Sequence, residues 1–175
     1  MEQRIKDPKA GSGAVQAMLD LEKHIAQTGL DRSLKNLVYL RASQVNGCAY
    51  CIDMHWKDLR RDGEGEQRLY GLDAWRESPY YTDRERAALA WTEAVTRVTD
   101  GHVPDEVFEE ARRQFTEAEL IGLTLCVVAI NGWNRLNIAF RTPAGTYQPA
   151  KRPIGAPAAA PGRAGRPSAS PDTAH

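Results

Sequence analysis

Three cysteines in 175 residues are too few for a disulfide framework. In a chain without signs of secretion, closely spaced thiols point to redox or metal chemistry. No secretory leader is apparent: Met1 to Gly13 carries Glu2, Arg4, Lys6, Asp7 and Lys9 without an apolar run, so neither an h-region nor an anchor is expected. Long hydrophobic runs are missing elsewhere too, the most apolar stretch being Ile121 to Ile130, far short of the roughly 20 residues that span a bilayer. Net charge is zero. Lys151, Arg152, Arg163 and Arg166 make the last stretch basic, yet no surface suited to nucleic acid emerges. These absences leave a globular protein expected in the cytoplasm, with 42% hydrophobic and 26% charged residues, ordinary values for one packed domain.

Alternating apolar and polar runs are absent as well, which argues against strands. The expected fold is all-α, a compact bundle of about six or seven helices over residues 1–142. Beyond Thr142 the composition turns to Pro, Ala, Gly, Ser and Arg, so residues 143–175 read as a flexible, disordered tail. A first helix is expected from Ser12 to about Thr28, with an apolar stripe of Val15, Met18, Leu19, Leu21, Glu22 and Ile25 and a stop at Gly29. A second follows Asp31 to about Val45, and Asn46-Gly47 marks a turn. The third spans Cys48 to about Arg61, and a shorter one covers Gly65 to Trp75. Thr82 with Glu85 and Thr116 with Glu119 have capping-box spacing, Pro104 suits a first helical turn, and Leu120 to Ala139 is apolar enough to be the bundle's centre.

The chemistry centres on Cys48-Ala49-Tyr50-Cys51 with His55. The thiolate is the nucleophile, and a helix N-terminus stabilises it through free amides and the macrodipole. Cys51 and His55, four residues apart, share a helical face, so the imidazole can exchange a proton with that sulfur. Three-residue spacing lets the sulfurs bridge, one attacking an oxidant and the other resolving the product. A zinc site would need a fourth ligand, and no second CxxC or spaced His pair supplies it; His24, His102 and His175 are scattered. Two packed, inert thiols are the plainer alternative, and Cys126, inside an apolar run, reads as packing.

Three stretches resemble alkylhydroperoxidase D-like proteins of the carboxymuconolactone decarboxylase superfamily: Leu40 to His55, Arg84 to Thr96, and Ile130 to Asn137. The resemblance covers about Ala14 to Arg141. It implies an all-α bundle assembled into trimers or hexamers, and a hydroperoxide-reducing cycle with no metal, flavin or other cofactor. Cys51 would be oxidised to a sulfenic acid, Cys48 would donate a proton and close the disulfide, and His55 would belong to a proton relay. The implied reductant is a dithiol carrier, lipoyl-bearing or thioredoxin-like.

The resemblance breaks at Asn36, where the family commonly has a Glu acting with the histidine as base. Asn cannot take a proton at neutral pH. Glu93, the only charged residue between Arg86 and Arg97, is the candidate replacement, since burial would raise its pKa toward that of a base; otherwise it faces solvent or an interface. Trp133, Asn134 and Arg135 are candidates to line the site, with Trp133 alternatively plain core. A lactone decarboxylase, which would not need both thiols, and a non-enzymatic thiol sensor are the competing functions.

Overall fold

Both capping boxes form. The Glu85 amide donates to Thr82 Oγ1 at 3.2 Å while the Thr82 amide donates to the Glu85 carboxylate at 2.8 Å, and Thr116 and Glu119 repeat the exchange at 3.3 and 2.9 Å. Each satisfies two amides that a helix start leaves free. The computed structural model describes residues 2–7 and 9–150. Its helices are α1 (Ser12–Ile25), α2 (Arg32–Asn46), α3 (Ala49–Asp62), α4 (Glu66–Tyr70), α5 (Asp83–Thr96), α6 (Asp105–Gln114) and α7 (Glu117–Phe140), with a 3-10 turn at Gly71–Ala74 after α4. No strand occurs among the described residues, so the fold is all-α as expected.

Three boundaries differ from the sequence reading. Helix α1 stops at Ile25, where the Thr28 hydroxyl donates to the Ile25 carbonyl at 2.8 Å, a side-chain bond that competes with helix continuation. The helix expected from Gly65 to Trp75 is five α-helical residues followed by the 3-10 turn. Buried Leu69, Leu72 and Trp75 recur every third residue, the spacing a 3-10 helix stacks on one side. The first residues of the expected tail are bonded to α3: the Gly145 amide donates to Asp53 at 3.1 Å, Lys57 donates to the Tyr147 carbonyl at 3.0 Å, and the Tyr147 hydroxyl donates to Asp58 at 2.9 Å. The remainder of that tail, 151–175, lies outside the described residues.

The centre of the bundle is α2, not α7. It packs against α3, α5 and α7, and every residue from Asn36 to Ser43 is buried. Leu34, Val38 and Ala42 enter one apolar cluster with α5, α6 and α7, while Leu37 and Leu40 enter another with Leu59, Leu72 and Leu89. Helix α7 leaves Ile121, Val128 and Ile138 exposed. Its apolarity reflects composition all round; α2 hides its central place behind Asn36, Arg41 and Ser43, polar residues buried with it. Among the described residues, no single helix is long and apolar enough to cross a membrane.

Candidate active site

Helix α2 ends in a left-handed glycine, Gly47 at φ 68°. The Cys48 amide then donates back to the Ser43 carbonyl at 3.0 Å and the Gly47 amide to Gln44 at 3.1 Å, a Schellman closure in which a Cβ at position 47 would be strained. Cys48 is at once the N-cap of α3. One tight turn thus stops one helix and presents the first thiol to the free amides of the next.

The Cys48 and Cys51 sulfurs lie 2.7 Å apart, both cysteines are free, and both are buried. The two thiols are shifted in opposite directions. Cys48 is pulled down to about 7, first by the hydrogen bond from Cys51 and then, against burial, by the Cys51 and Tyr50 amides and Asn134. Cys51 is pushed up by the Cys48 hydrogen bond, burial and the Cys48 charge. Ionisation of the pair therefore favours Cys48. Asn134, fully buried, accepts from Asn46 at 2.8 Å and donates to Ser43 at 3.0 Å, which fixes its amide beside the turn. Asn137, one helical turn on, donates to Cys51 Sγ at 3.5 Å.

A pocket of about 480 Å³ opens next to this pair. Its α2 wall is Arg32, Lys35, Asn36 and Tyr39, spaced i, i+3, i+4 and i+7, a single helical face. From α3 come Tyr50, Met54, His55 and Asp58, and from α1 and α7 come Leu19, Glu22, Trp133 and Asn137. His55 is buried and stands edge-on to Tyr39 with ring centroids 5.1 Å apart. Neither of its nitrogens has a hydrogen-bond partner, so the expected face-sharing with Cys51 exists without a direct hydrogen bond. Burial, then the Lys35 charge, pushes the imidazole down to about 3, leaving it neutral.

Glu93 does not match its expected role. Its carboxylate receives Arg41 Nε and Trp75 Nε1, each at 2.8 Å, and Arg76 Nη1 at 2.7 Å. Burial alone would raise its pKa, but those three donors outweigh it and hold the group below the usual carboxylate range. Arg41 lies about 140° around α2 from Asn36 at 100° per residue, so the cluster faces away from the pocket. Glu93 ties α2 to α5. Arg135 is exposed and binds Asn131, while Cys126 is buried core with its thiol pushed up to about 12, mainly by burial.

The pocket holds two carboxylates, Asp58 and Glu22, that the sequence reading passed over. Glu22 accepts the Tyr39 hydroxyl at 3.0 Å on both oxygens and Trp133 Nε1 at 3.3 Å, with Lys35 Nζ at 3.7 Å. The available signal was a charge inside the apolar stripe of α1. Among the described residues, no three His, Cys, Asp or Glu side chains cluster as metal ligands would.

Residues 13–94 match the carboxymuconolactone decarboxylase family. The Bacillus subtilis protein YdfG is 40% identical over 139 residues, 79% of this chain and 95% of YdfG. The chain is an alkylhydroperoxidase D-like member of the carboxymuconolactone decarboxylase family. Agrobacterium tumefaciens ATU0492, a protein of unknown function suggested to be the antioxidant defence protein AhpD, has a solved structure 41% identical to this family member, with TM-score 0.80 over 83% of this chain and all of that one. The debrominase Bmp8 superposes with TM-score 0.68 at 24% identity, over 74% of this chain and 70% of Bmp8, a likeness of fold alone. Members of this family are often enzymes.

Proposed function

We propose that this protein is a dithiol peroxidase that reduces organic hydroperoxides through Cys48 and Cys51, with His55 in the proton path. The observation that carries the reading is the pair of free sulfurs, 2.7 Å apart at a helix N-terminus. The neighbouring pocket of about 480 Å³ falls among ligand-sized cavities and exceeds what hydrogen peroxide requires. Its aromatic and thioether walls suit a hydroperoxide with an organic body.

Cys51 is the better candidate for attack because Tyr50, His55 and Asn137 beside it line the pocket, whereas Cys48 is the N-cap residue at the buried turn. In the proposed cycle the Cys51 proton passes to His55, and the Cys51 thiolate attacks the terminal peroxide oxygen. The O–O bond breaks, the alkoxide takes a proton to become the alcohol, and Cys51 is left as sulfenic acid. The Cys48 sulfur then attacks Cys51, forming the disulfide and releasing water. A lipoyl-bearing or thioredoxin-like dithiol protein of the cytoplasm would return both thiols and leave as its own disulfide. Assembly into a trimer or hexamer belongs to the same reading and would cover the exposed apolar residues of α7.

The test is free-thiol titration after one equivalent of tert-butyl hydroperoxide, with mass spectrometry to locate the products. Cys51→Ser should abolish the initial oxidation, and Cys48→Ser should trap a sulfenic acid at Cys51 that over-oxidises. Equal initial rates in the wild type and Cys51→Ser would reject the proposal. A lactone decarboxylase would survive either serine, and a sensor would oxidise slowly without turnover.

A further inference from the structure

His55 is buried with both ring nitrogens unpartnered, and no other buried side-chain nitrogen or oxygen among the described residues is left that way. Leaving such a group unpaired is costly. A ring that burial and Lys35 keep neutral cannot store a proton; it can pass one, accepting at one nitrogen while releasing from the other. Passing requires an acceptor on the far side. Asn36, which lines the pocket, cannot serve, and Glu93 is engaged with Arg41, Trp75 and Arg76.

Two carboxylates remain in the pocket, Glu22 and Asp58. Asp58 Oδ1 already accepts the Tyr147 hydroxyl at 2.9 Å and pairs with Arg61 at 3.0 Å. Glu22 also accepts Trp133 Nε1 at 3.3 Å, but its nearest cation, Lys35 Nζ, stands 3.7 Å away, whereas Glu93 and Asp58 each hold a guanidinium at 3.0 Å or less. The Tyr39 hydroxyl tethers both Glu22 oxygens, and the same tyrosine ring stands edge-on to His55. One side chain of α2 thus positions both ends of the gap.

We infer that Glu22, contributed by α1, is the proton-relay carboxylate of this site, receiving across the pocket the proton that His55 takes from the dithiol. The inference rests on the peroxidase reading above. The proton leaves Cys51 Sγ for one ring nitrogen, the proton on the other nitrogen passes through pocket solvent to Glu22, and the reverse path protonates the alkoxide. No electrons move in this step. Glu22 acts through His55 and is therefore a positioning residue. The other charged or titratable groups facing the gap are Lys35 and Arg32 from α2, Tyr50 and Asp58 from α3, and Cys126 of α7 behind Tyr39. Glu22 at 3.7 Å from Lys35 also offsets the ammonium that disfavours a protonated ring.

The test is single-turnover thiol loss with tert-butyl hydroperoxide between about pH 5 and 9 in the full chain, with thermal melts to verify folding. Glu22→Gln keeps an oxygen for the Tyr39 hydroxyl but cannot take the proton. It should slow the reaction near pH 7 by about 10²-fold or more and move the pH profile to the alkaline side. Asn36→Glu should add little to the wild type yet recover at least about tenfold in the Glu22→Gln background. Asp58→Asn should lose less than Glu22→Gln. If Glu22→Gln keeps the wild-type rate and profile, or Asp58→Asn is the more damaging, Glu22 is not the acceptor. If Glu22→Gln fails to fold, Tyr39→Phe, which releases the carboxylate but keeps the ring against His55, must slow the reaction; an unchanged rate overturns the inference. Loss of oxidation in Cys51→Ser alongside a wild-type Glu22→Gln would refute this inference alone, whereas oxidation persisting in Cys51→Ser would refute the peroxidase reading itself.

Discussion

On one side of α2 the Glu93 carboxylate receives Arg41, Arg76 and Trp75; on the other the His55 imidazole receives nothing. Both side chains are buried to a similar depth. Burial by itself therefore does not separate structure from function, but saturation does. A buried carboxylate with two guanidiniums and an indole at hydrogen-bonding distance is fixed in one protonation state, since those cationic donors would lose their partner on protonation. A buried base with open nitrogens is stable only in its neutral form and leaves its hydrogen-bonding capacity to whatever enters the pocket. The first arrangement holds helices together. The second destabilises the resting fold and is kept, on the proposed cycle, for the reaction.

Replacing His55 with an apolar side chain should break this contrast most sharply. Under the peroxidase reading, His55→Leu lowers the rate of hydroperoxide-dependent thiol loss by about 10²–10⁴-fold. Its melting temperature should not fall, because an unpaired buried polar group costs about 1–3 kcal/mol and an apolar substitute removes that cost. The acid limb should change as well. The folded ring titrates at about 3 against an ordinary 6.5, so between those values the unfolded chain binds the proton that the folded one refuses. Wild-type stability should thus fall as pH drops below about 6.5 and go on falling toward 3, by up to roughly 1.4 kcal/mol per pH unit. Chemical denaturation of His55→Leu between pH 7 and 4 should show a shallower fall. Parallel curves would mean that His55 gains a partner in solution.

Glu93 should respond in the opposite sense. Glu93→Ala leaves buried Arg41 with only the exposed Asp73 as a charged partner, a loss of about 3–5 kcal/mol for a broken buried pair, or a drop on the order of 10 °C in melting temperature. Thiol oxidation per folded molecule should stay near wild type, because the cluster faces away from the pocket. A selective loss of rate in a stable Glu93 variant would restore the general-base role that the sequence suggested.

That suggestion shows where the sequence was legible and where it was not. Signals confined to one turn were readable: Thr82 with Glu85, Thr116 with Glu119, Gly47 before Cys48, and the i, i+4 pair Cys51 and His55 all occupy the local geometry their spacing implies. What failed was whatever depended on a partner far along the chain. Glu93 meets Arg41 from 52 positions away, and no local pattern distinguishes a carboxylate awaiting a guanidinium from one awaiting a proton. Glu22 meets Trp133 across 111 positions, so its charge passed as noise in an apolar stripe. The bundle's centre was misjudged for the same reason, since the buried polar residues of α2 lowered its apparent hydrophobicity.

The smallest expected effect lies at the edge of the pocket, where residues after α7 cross α3. Tyr147 donates to Asp58 at 2.9 Å, and its own titration is pushed up to about 12, chiefly by burial and then by that carboxylate. Tyr147→Phe keeps the ring and removes one hydrogen bond, a change of about 1 kcal/mol and so about 2–4 °C in melting temperature. It also leaves Asp58 with Arg61 as its remaining close partner, making this second pocket carboxylate more available to solvent. If saturation is what keeps Asp58 out of the chemistry, loosening it should change the thermal melt and leave the pH profile of thiol oxidation in place. A faster reaction with an acid-shifted profile would instead mean that Asp58, once released, competes with Glu22 for the proton leaving His55.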